Sequence, residues 1–171
     1  MHINHNGTKT LETNRLILKK DDFKDCKILW DKLLSDYDAV KKCRWKKFNS
    51  YEDYINSFKH NVPDNVYFWT IWVKENNTPI GGISIHNQDD AKGICKVGYS
   101  IHPNYWGKGY ATEALHSVLD FMINVIGYKK VIAECSTSNI GSKKVMEKND
   151  MYYDGTFKEA GENFFIFSKS K

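Results

Sequence analysis

Residues 103–113, Pro103-Asn104-Tyr105-Trp106-Gly107-Lys108-Gly109-Tyr110-Ala111-Thr112-Glu113, carry the densest chemical signal in the chain. A strand-like run, Ile94–His102, precedes them, and a helical run, Tyr110–Ile126, follows directly. A strand that turns through two glycines into a helix aims several free backbone N–H groups and the positive end of the helix dipole at one spot. Such a spot binds phosphate or pyrophosphate. Gly107 and Gly109 let the backbone approach a ligand and take positive φ where the turn needs it. Two familiar phosphate loops do not fit. The pattern G-x-x-x-x-G-K-[ST] fails because Lys108 precedes Gly109 and no Ser or Thr follows, and G-x-G-x-x-G fails at Thr112, with no parallel βαβ series around it.

The elements that must position this loop follow from periodicity. Arg15–Lys19 reads as a first strand, and Asp22 caps a helical pattern that places Phe23, Cys26, Trp30, Leu33 and Leu34 on one face. Residues 36–65 are irregular, with a short helix over Tyr51–His60. Tyr67–Lys74, Pro79–His86 and Ile94–His102 are three strands in succession, joined by a turn at Asn76-Asn77-Thr78 and a looser one over Asn87–Lys92. The period then changes: Ala111, Ala114, Leu115, Val118, Met122 and Ile126 share one helical face. Lys129–Cys135 is a strand, Asn139–Asn149 a helix, and Met151–Lys158 with Asn163–Lys169 a closing hairpin. The order predicts a mixed α+β domain: a mostly antiparallel central sheet of about seven strands with helices on both faces.

Composition sets the bounds. The 171 residues are 41% hydrophobic and 14% aromatic, which suits one globular domain and excludes disorder and coiled coil. A polar extension over residues 1–10 precedes a domain over 11–171. The 25 basic and 21 acidic side chains leave a net charge of +4, too small and dispersed for a nucleic-acid surface. Cys26, Cys43, Cys95 and Cys135 show neither C-x-x-C nor zinc spacing, so reduced, mostly buried thiols and no metal are expected. No stretch reaches the ~18 apolar residues of a membrane helix, and Met1–Thr10 lacks an apolar signal-peptide core. A cytoplasmic protein without membrane or nucleic-acid partners, a monomer or homodimer, is the expectation.

The run Gly98-Tyr99-Ser100-Ile101-His102 through Leu115 resembles the acyl-CoA signature of the GNAT acetyltransferases, in particular their RimJ/RimL-like branch. Leu11–Leu18 (L-E-T-N-R-L-I-L) resembles that branch's first strand, and Asn139–Lys148 (N-I-G-S-K-K-V-M-E-K) its second cofactor motif. The likeness spans residues 11 to about 168. It implies a GNAT-like domain and acetyl-CoA as acetyl donor, transferred to an amine by direct attack in a ternary complex. By position it implies that the strand before the loop splays from its parallel neighbour. Ile101 and His102 would then offer backbone groups to pantetheine in the gap. Trp106, Gly107, Lys108, Gly109, Tyr110 and Ala111 would hold the pyrophosphate through main-chain N–H groups, and Asn139 would bond the pantetheine arm, cap the next helix, or do both.

The resemblance also implies the catalytic pair. Glu134 stands where related N-terminal acetyltransferases carry a catalytic Glu, and alternation puts it on the opposite face from Cys135. Ser142 matches the branch's serine one turn into the helix; the other reading is a helix-start residue with a solvated hydroxyl. Amines with pKa near ~10 arrive protonated, so a base such as Glu134 assists; its alternative is an ion-paired strand residue. The chain departs from the family at Asn104 in place of Arg or Gln, at Met146 in place of an acid Tyr, and at Asp150 in place of Gly. His86 and His116 read as structural or solvated, and His102 as a strand-end residue. Lys108, Lys143 and Lys144 lie near the expected phosphates. Trp45, Phe48, Tyr51, Tyr54, Phe58, Tyr67, Phe68 and Trp69 read mostly as core, with some lining an acceptor pocket. The acceptor is a small amine or a protein N-terminus; the alternative is a non-catalytic acyl-CoA-binding module.

Overall fold

Eight strands form one sheet in the computed structural model, which describes residues 3–20, 22–36, 47–57 and 63–171. They are β1 (Leu11–Glu12), β2 (Leu16–Lys19), β3 (Tyr67–Val73), β4 (Thr78–Asp89), β5 (Ile94–Ile101), β6 (Lys130–Ser136), β7 (Tyr152–Glu159) and β8 (Glu162–Ser170). The eighth strand is β1, whose two residues are too short to show a period. The order across the sheet is β1-β2-β3-β4-β5-β6-β8-β7. Every described pairing is antiparallel except β5–β6, which is parallel because a helical crossover joins those strands.

That crossover begins as α3 (Tyr110–Asp120) and ends as a π-helical turn over Phe121–Ile126. The sequence pattern reads the whole run as one α-helix. The wider last turn brings Phe121, Met122 and Ile123 into the core together, and Gly127, at φ 98°, closes it. The remaining helices are α1 (Cys26–Leu29), continued by a π-helical turn over Trp30–Leu34, then α2 (Tyr51–Asn56) and α4 (Ile140–Glu147). One sheet face packs Leu18, Trp69, Ile83 and Val97 against α3 and α4. The other face packs Trp72 against Cys26, Leu29, Leu33 and Tyr54. Cys26, Cys95 and Cys135 are buried and unbridged. Cys43, Trp45 and Phe58 lie outside the described residues, as does the side chain of Phe23.

The segment before β1 is tied down: Ile3 joins the main core, and the Trp69 indole donates to the Lys9 carbonyl at 2.7 Å. Nearby, Asp90 gathers a polar knot. Tyr128 donates its hydroxyl to Asp90 at 2.6 Å, His5 Nε2 stands 2.9 Å from the other carboxylate oxygen, and His5 Nδ1 lies 3.1 Å from the Tyr67 hydroxyl. Gln88 donates to the Tyr128 oxygen at 3.1 Å. The Tyr128 and His5 hydrogen bonds, in that order, hold the Asp90 carboxyl below its usual range. The knot joins the N-terminal segment, the β4–β5 turn and the start of β6 at the end where β5 and β6 both begin. There the Gly93 carbonyl accepts from Lys129 and Lys130 N–H at 2.8 and 3.2 Å.

At the opposite end of α4, Asp150 takes φ 54°, with Met151 N–H reaching back to the Met146 carbonyl at 3.2 Å. This is the left-handed helix stop that glycine fills best, and Asp is among the few other residues that tolerate it. Lys169 lies 3.7 Å from the Asp150 carboxylate, but that carboxylate is 91% exposed, so the pair stabilises little. Asp150→Gly is expected to leave stability unchanged or raise it by up to ~1 kcal/mol, since it relieves the left-handed strain and removes an anion from the negative helix end. Thermal denaturation is the check, and a clear fall in Tm would contradict it.

Candidate active site

The site grows from a fork in the sheet. β5 pairs with β6 from Ile94↔Lys130 to Val97↔Ala133 and no further. β5 goes on pairing with β4 to Gly81↔Ile101, while β6 goes on pairing with β8 to Ser136↔Phe164. Gly81 keeps β5 on its outer partner: a Cβ there would stand 2.2 Å from the Ser100 carbonyl oxygen. Strand alternation then decides which backbone groups face the gap. His102 N–H donates to the Ile80 carbonyl at 2.7 Å, so even-numbered β5 residues point toward β4. The groups of Tyr99 and Ile101 point the other way, into the open side.

Beyond the fork, Pro103–Tyr105 forms a 3₁₀ turn, and Gly107 and Gly109 take φ 74° and 80°. Both values suit glycine alone among common residues, and Gly109 is the N-cap of α3. No side chain caps that helix start, so its first N–H groups stay available to an anion. Arg15 clasps the loop. Its backbone N–H and Nε donate to the two Glu113 oxygens at 2.8 and 2.7 Å, and its guanidinium donates to the Lys108 carbonyl at 2.9 Å. The guanidinium also lies over the Tyr110 ring, 4.7 Å from its centre. Thr13 adds a bond to Glu113 at 2.6 Å. Burial alone would raise the Glu113 carboxyl, but the Thr13 and Arg15 hydrogen bonds outweigh it and hold it below its usual range.

Glu134 stands one residue past the last β5–β6 pair, on the sheet face away from the main core. Lys96 Nζ lies 2.5 Å from its Oε1. On the core face of the same fork, the Tyr99 hydroxyl and Ser142 Oγ are 2.8 Å apart. Ser142 is therefore at the helix start, as its position predicts, with its hydroxyl partnered rather than solvated. Burial raises the Tyr99 pKa, so this hydroxyl keeps its proton. Asn139 caps α4, its Oδ1 accepting from Ser142 N–H at 3.0 Å. Met146 is fully buried.

Other residues are less free than the sequence suggests. Both backbone groups of His102 are engaged, the N–H with Ile80 and the carbonyl with Tyr105 N–H at 2.9 Å, so its backbone does not face the gap. Its ring is buried, with Nε2 3.4 Å from Asp36. The Ile101 carbonyl accepts from the Trp106 indole at 2.5 Å, which swings that side chain back over the mouth of the gap. Lys108 lies over the Tyr105 ring, and Lys143 pairs with Glu147 at 3.5 Å. Of the aromatic run, Tyr54, Tyr67 and Trp69 are buried, whereas Phe68 is exposed. Sequence reasoning missed Tyr99, whose backbone faces the gap and whose ring lies on the core face, because alternation alone lacks the phase that the His102–Ile80 hydrogen bond sets.

A parallel pair that opens into a gap faced by the backbone of Tyr99 and Ile101, with a glycine-turned helix start at its mouth, suits a long ligand that carries an anion. Residues 15–152 match the acetyltransferase (GNAT) domain, and the chain belongs to that family. It is an acetyltransferase. The N-acetyltransferase YnaD of Bacillus subtilis, itself uncharacterized, is 28% identical over 149 residues, covering 87% of this chain and 86% of YnaD. Among solved structures, the ribosomal-protein-S5-alanine acetyltransferase of Vibrio fischeri has a TM-score of 0.75 at 19% identity, covering 95% of this chain and 96% of its own. The microcin C7 self-immunity acetyltransferase MccE, in complex with acetyl-CoA and AMP, has a TM-score of 0.77 at 20% identity, with 93% and 94% covered.

Two outcomes follow. Gly109→Val places a β-branched side chain at positive φ where the backbone meets the anion, and is expected to weaken coenzyme A at least ~tenfold, about 1.4 kcal/mol, by calorimetry. Unchanged affinity in a folded variant would count against the loop assignment. Glu113 has a depressed folded pKa, so its contribution is present above the unfolded value near ~4.3 and lost as pH falls through the folded one. Thermal melts from pH 6 downward should show Glu113→Gln less acid-sensitive than the wild type.

Proposed function

We propose that this acetyltransferase acetylates a primary amine, a protein N-terminus or a small amine, by direct attack within a ternary complex. The carrying observation is the placement of Glu134 on one side of the fork and the Tyr99–Ser142 hydroxyl pair on the other. Acetyl-CoA supplies an activated acyl carbon and a thiol leaving group. The backbone of Ile101 and Tyr99, with the helix start from Trp106 to Ala111, binds and orients that donor. Asn139 holds the first turn of α4, and with it Ser142, at the fork. Glu134 takes a proton from the incoming ammonium, directly or through water, because an amine of pKa near ~10 has no lone pair to offer at neutral pH. Its ion pair with Lys96 holds the carboxylate over the sheet face. Ser142 donates a hydrogen bond on the leaving-group side.

The structural neighbour from Vibrio fischeri is described as an acetyltransferase of a ribosomal-protein alanine, which supports peptide N-termini as one acceptor class. Thiol release from acetyl-CoA, measured with Ser- and Ala-initiated peptides, spermidine and kanamycin, tests the reading. Release with none of them would favour a non-catalytic acyl-CoA-binding module. Glu134→Gln is expected to lower kcat by ~10²–10⁴-fold, the size of a general-base effect. Ser142→Ala should cost less and barely change acetyl-CoA binding, since a thiol of pKa near ~8.5 leaves readily and the Tyr99 hydroxyl, 2.8 Å away, remains as donor. A more severe Ser142→Ala at saturating substrates would reassign Glu134 to a structural role.

A further inference from the structure

Gly98 is the first β5 residue past the last β5–β6 pair. Across the sheet its row runs from Ser84 on β4, through Gly98, to Glu134 on β6, one step beyond Val97↔Ala133. A glycine there leaves a trough in the sheet face, and one side chain leans into it. A methyl group on Gly98 would stand 3.1 Å from His86 Cε1 and 3.7 Å from its Nδ1. His86 is the direct cross-strand partner of Lys96, so its ring has moved off its own row to overhang Gly98, toward Glu134. His86 is still exposed to solvent.

We infer that His86 is a second proton-accepting catalytic residue, opposite Glu134 across the Gly98 trough, that takes a proton from the acceptor nitrogen and passes it to water. This rests on the acetyltransferase reading above. The proton balance calls for it. A primary ammonium loses two protons on becoming an amide, one before its lone pair attacks the acyl carbon and one as the C–N bond forms and the C–S bond breaks. The sulfur keeps the electron pair of the broken bond and takes up one proton as the free thiol; the other proton must reach bulk water. Glu134, ion-paired at 2.5 Å with Lys96, faces the amine but is one acceptor for two protons. An exposed imidazole over the same trough both accepts a proton and returns it to solvent at neutral pH. The charged groups acting on His86 are Lys96 from β5 and Glu134 from β6. Lost hydration first, then the Lys96 charge, hold its pKa below that of free imidazole, against the pull of Glu134, so the ring is neutral and able to accept.

The test uses the full chain and the best acceptor among Ser- and Ala-initiated peptides, spermidine and kanamycin. His86→Gln, which keeps size and polarity, should lower kcat at least ~tenfold with the KM for acetyl-CoA unchanged. His86→Ala should regain rate on addition of free imidazole. Lys96→Met, which removes the cation beside both His86 and Glu134, should move the acidic limb of the kcat–pH profile to higher pH, and by less when combined with His86→Gln, a difference that a merely structural His86 would not produce. Wild-type kcat and an unmoved acidic limb in His86→Gln would overturn the assignment, and because that variant stays polar it keeps the test valid if His86→Ala fails to fold. A wild-type chain that acetylates no amine of the panel would instead overturn the acetyltransferase reading and this assignment with it.

Discussion

Past Val97 and Ala133, β5 and β6 part, and each follows its outer neighbour. β5 follows β4 through the close approach at Gly81, and β6 follows β8 to Ser136↔Phe164. Beyond that point the inner backbone edges of the two strands no longer pair with each other, and this is the gap proposed above for the pantetheine arm. Everything else at the site takes its place from that parting. The turn through Gly107 and Gly109 sits at the open end of the fork. Glu134 and Gly98 lie at its apex on one face, and Tyr99 and Ser142 on the other.

Much of this was legible in the sequence. The strand, two-glycine turn and helix were plain because positive φ and a helix start leave marks in residue type. The fork itself was not, since the end of a parallel pairing is set by register, which a single strand does not encode. Alternation counted from the loop needs one fixed hydrogen bond, His102 to Ile80, to set its phase, and with it the Ile101 backbone faces the gap while that of His102 faces β4. The π-helical turn over Phe121–Ile126 was also hidden, because an apolar face of period 3.6 fits the first turns of that helix and hides one wide turn at its end.

The family departure at position 146 acquires a physical sense. Met146 is fully buried under the sheet, while a tyrosine hydroxyl reaches the fork from another element, Tyr99 of β5, and meets Ser142. A tyrosine hydroxyl thus stands at the fork, delivered by strand instead of helix. Its environment keeps it protonated.

The polar knot around Asp90 closes the fork at one end only. His5 and Tyr128 bind Asp90 where β5 and β6 begin, Tyr67 holds His5, and Gly93 receives two amides beside them. The pair of strands is therefore built like a clothes-peg, hinged at the knot and free at the jaws. Opening of the two strands for a long ligand is expected at the jaws, where they do not pair, and not at the hinge. Amide exchange should read this as a gradient, slow at Cys95 and Val131 and fast toward Ile101 and Ser136, with the N-terminal segment setting the stiffness of the spring.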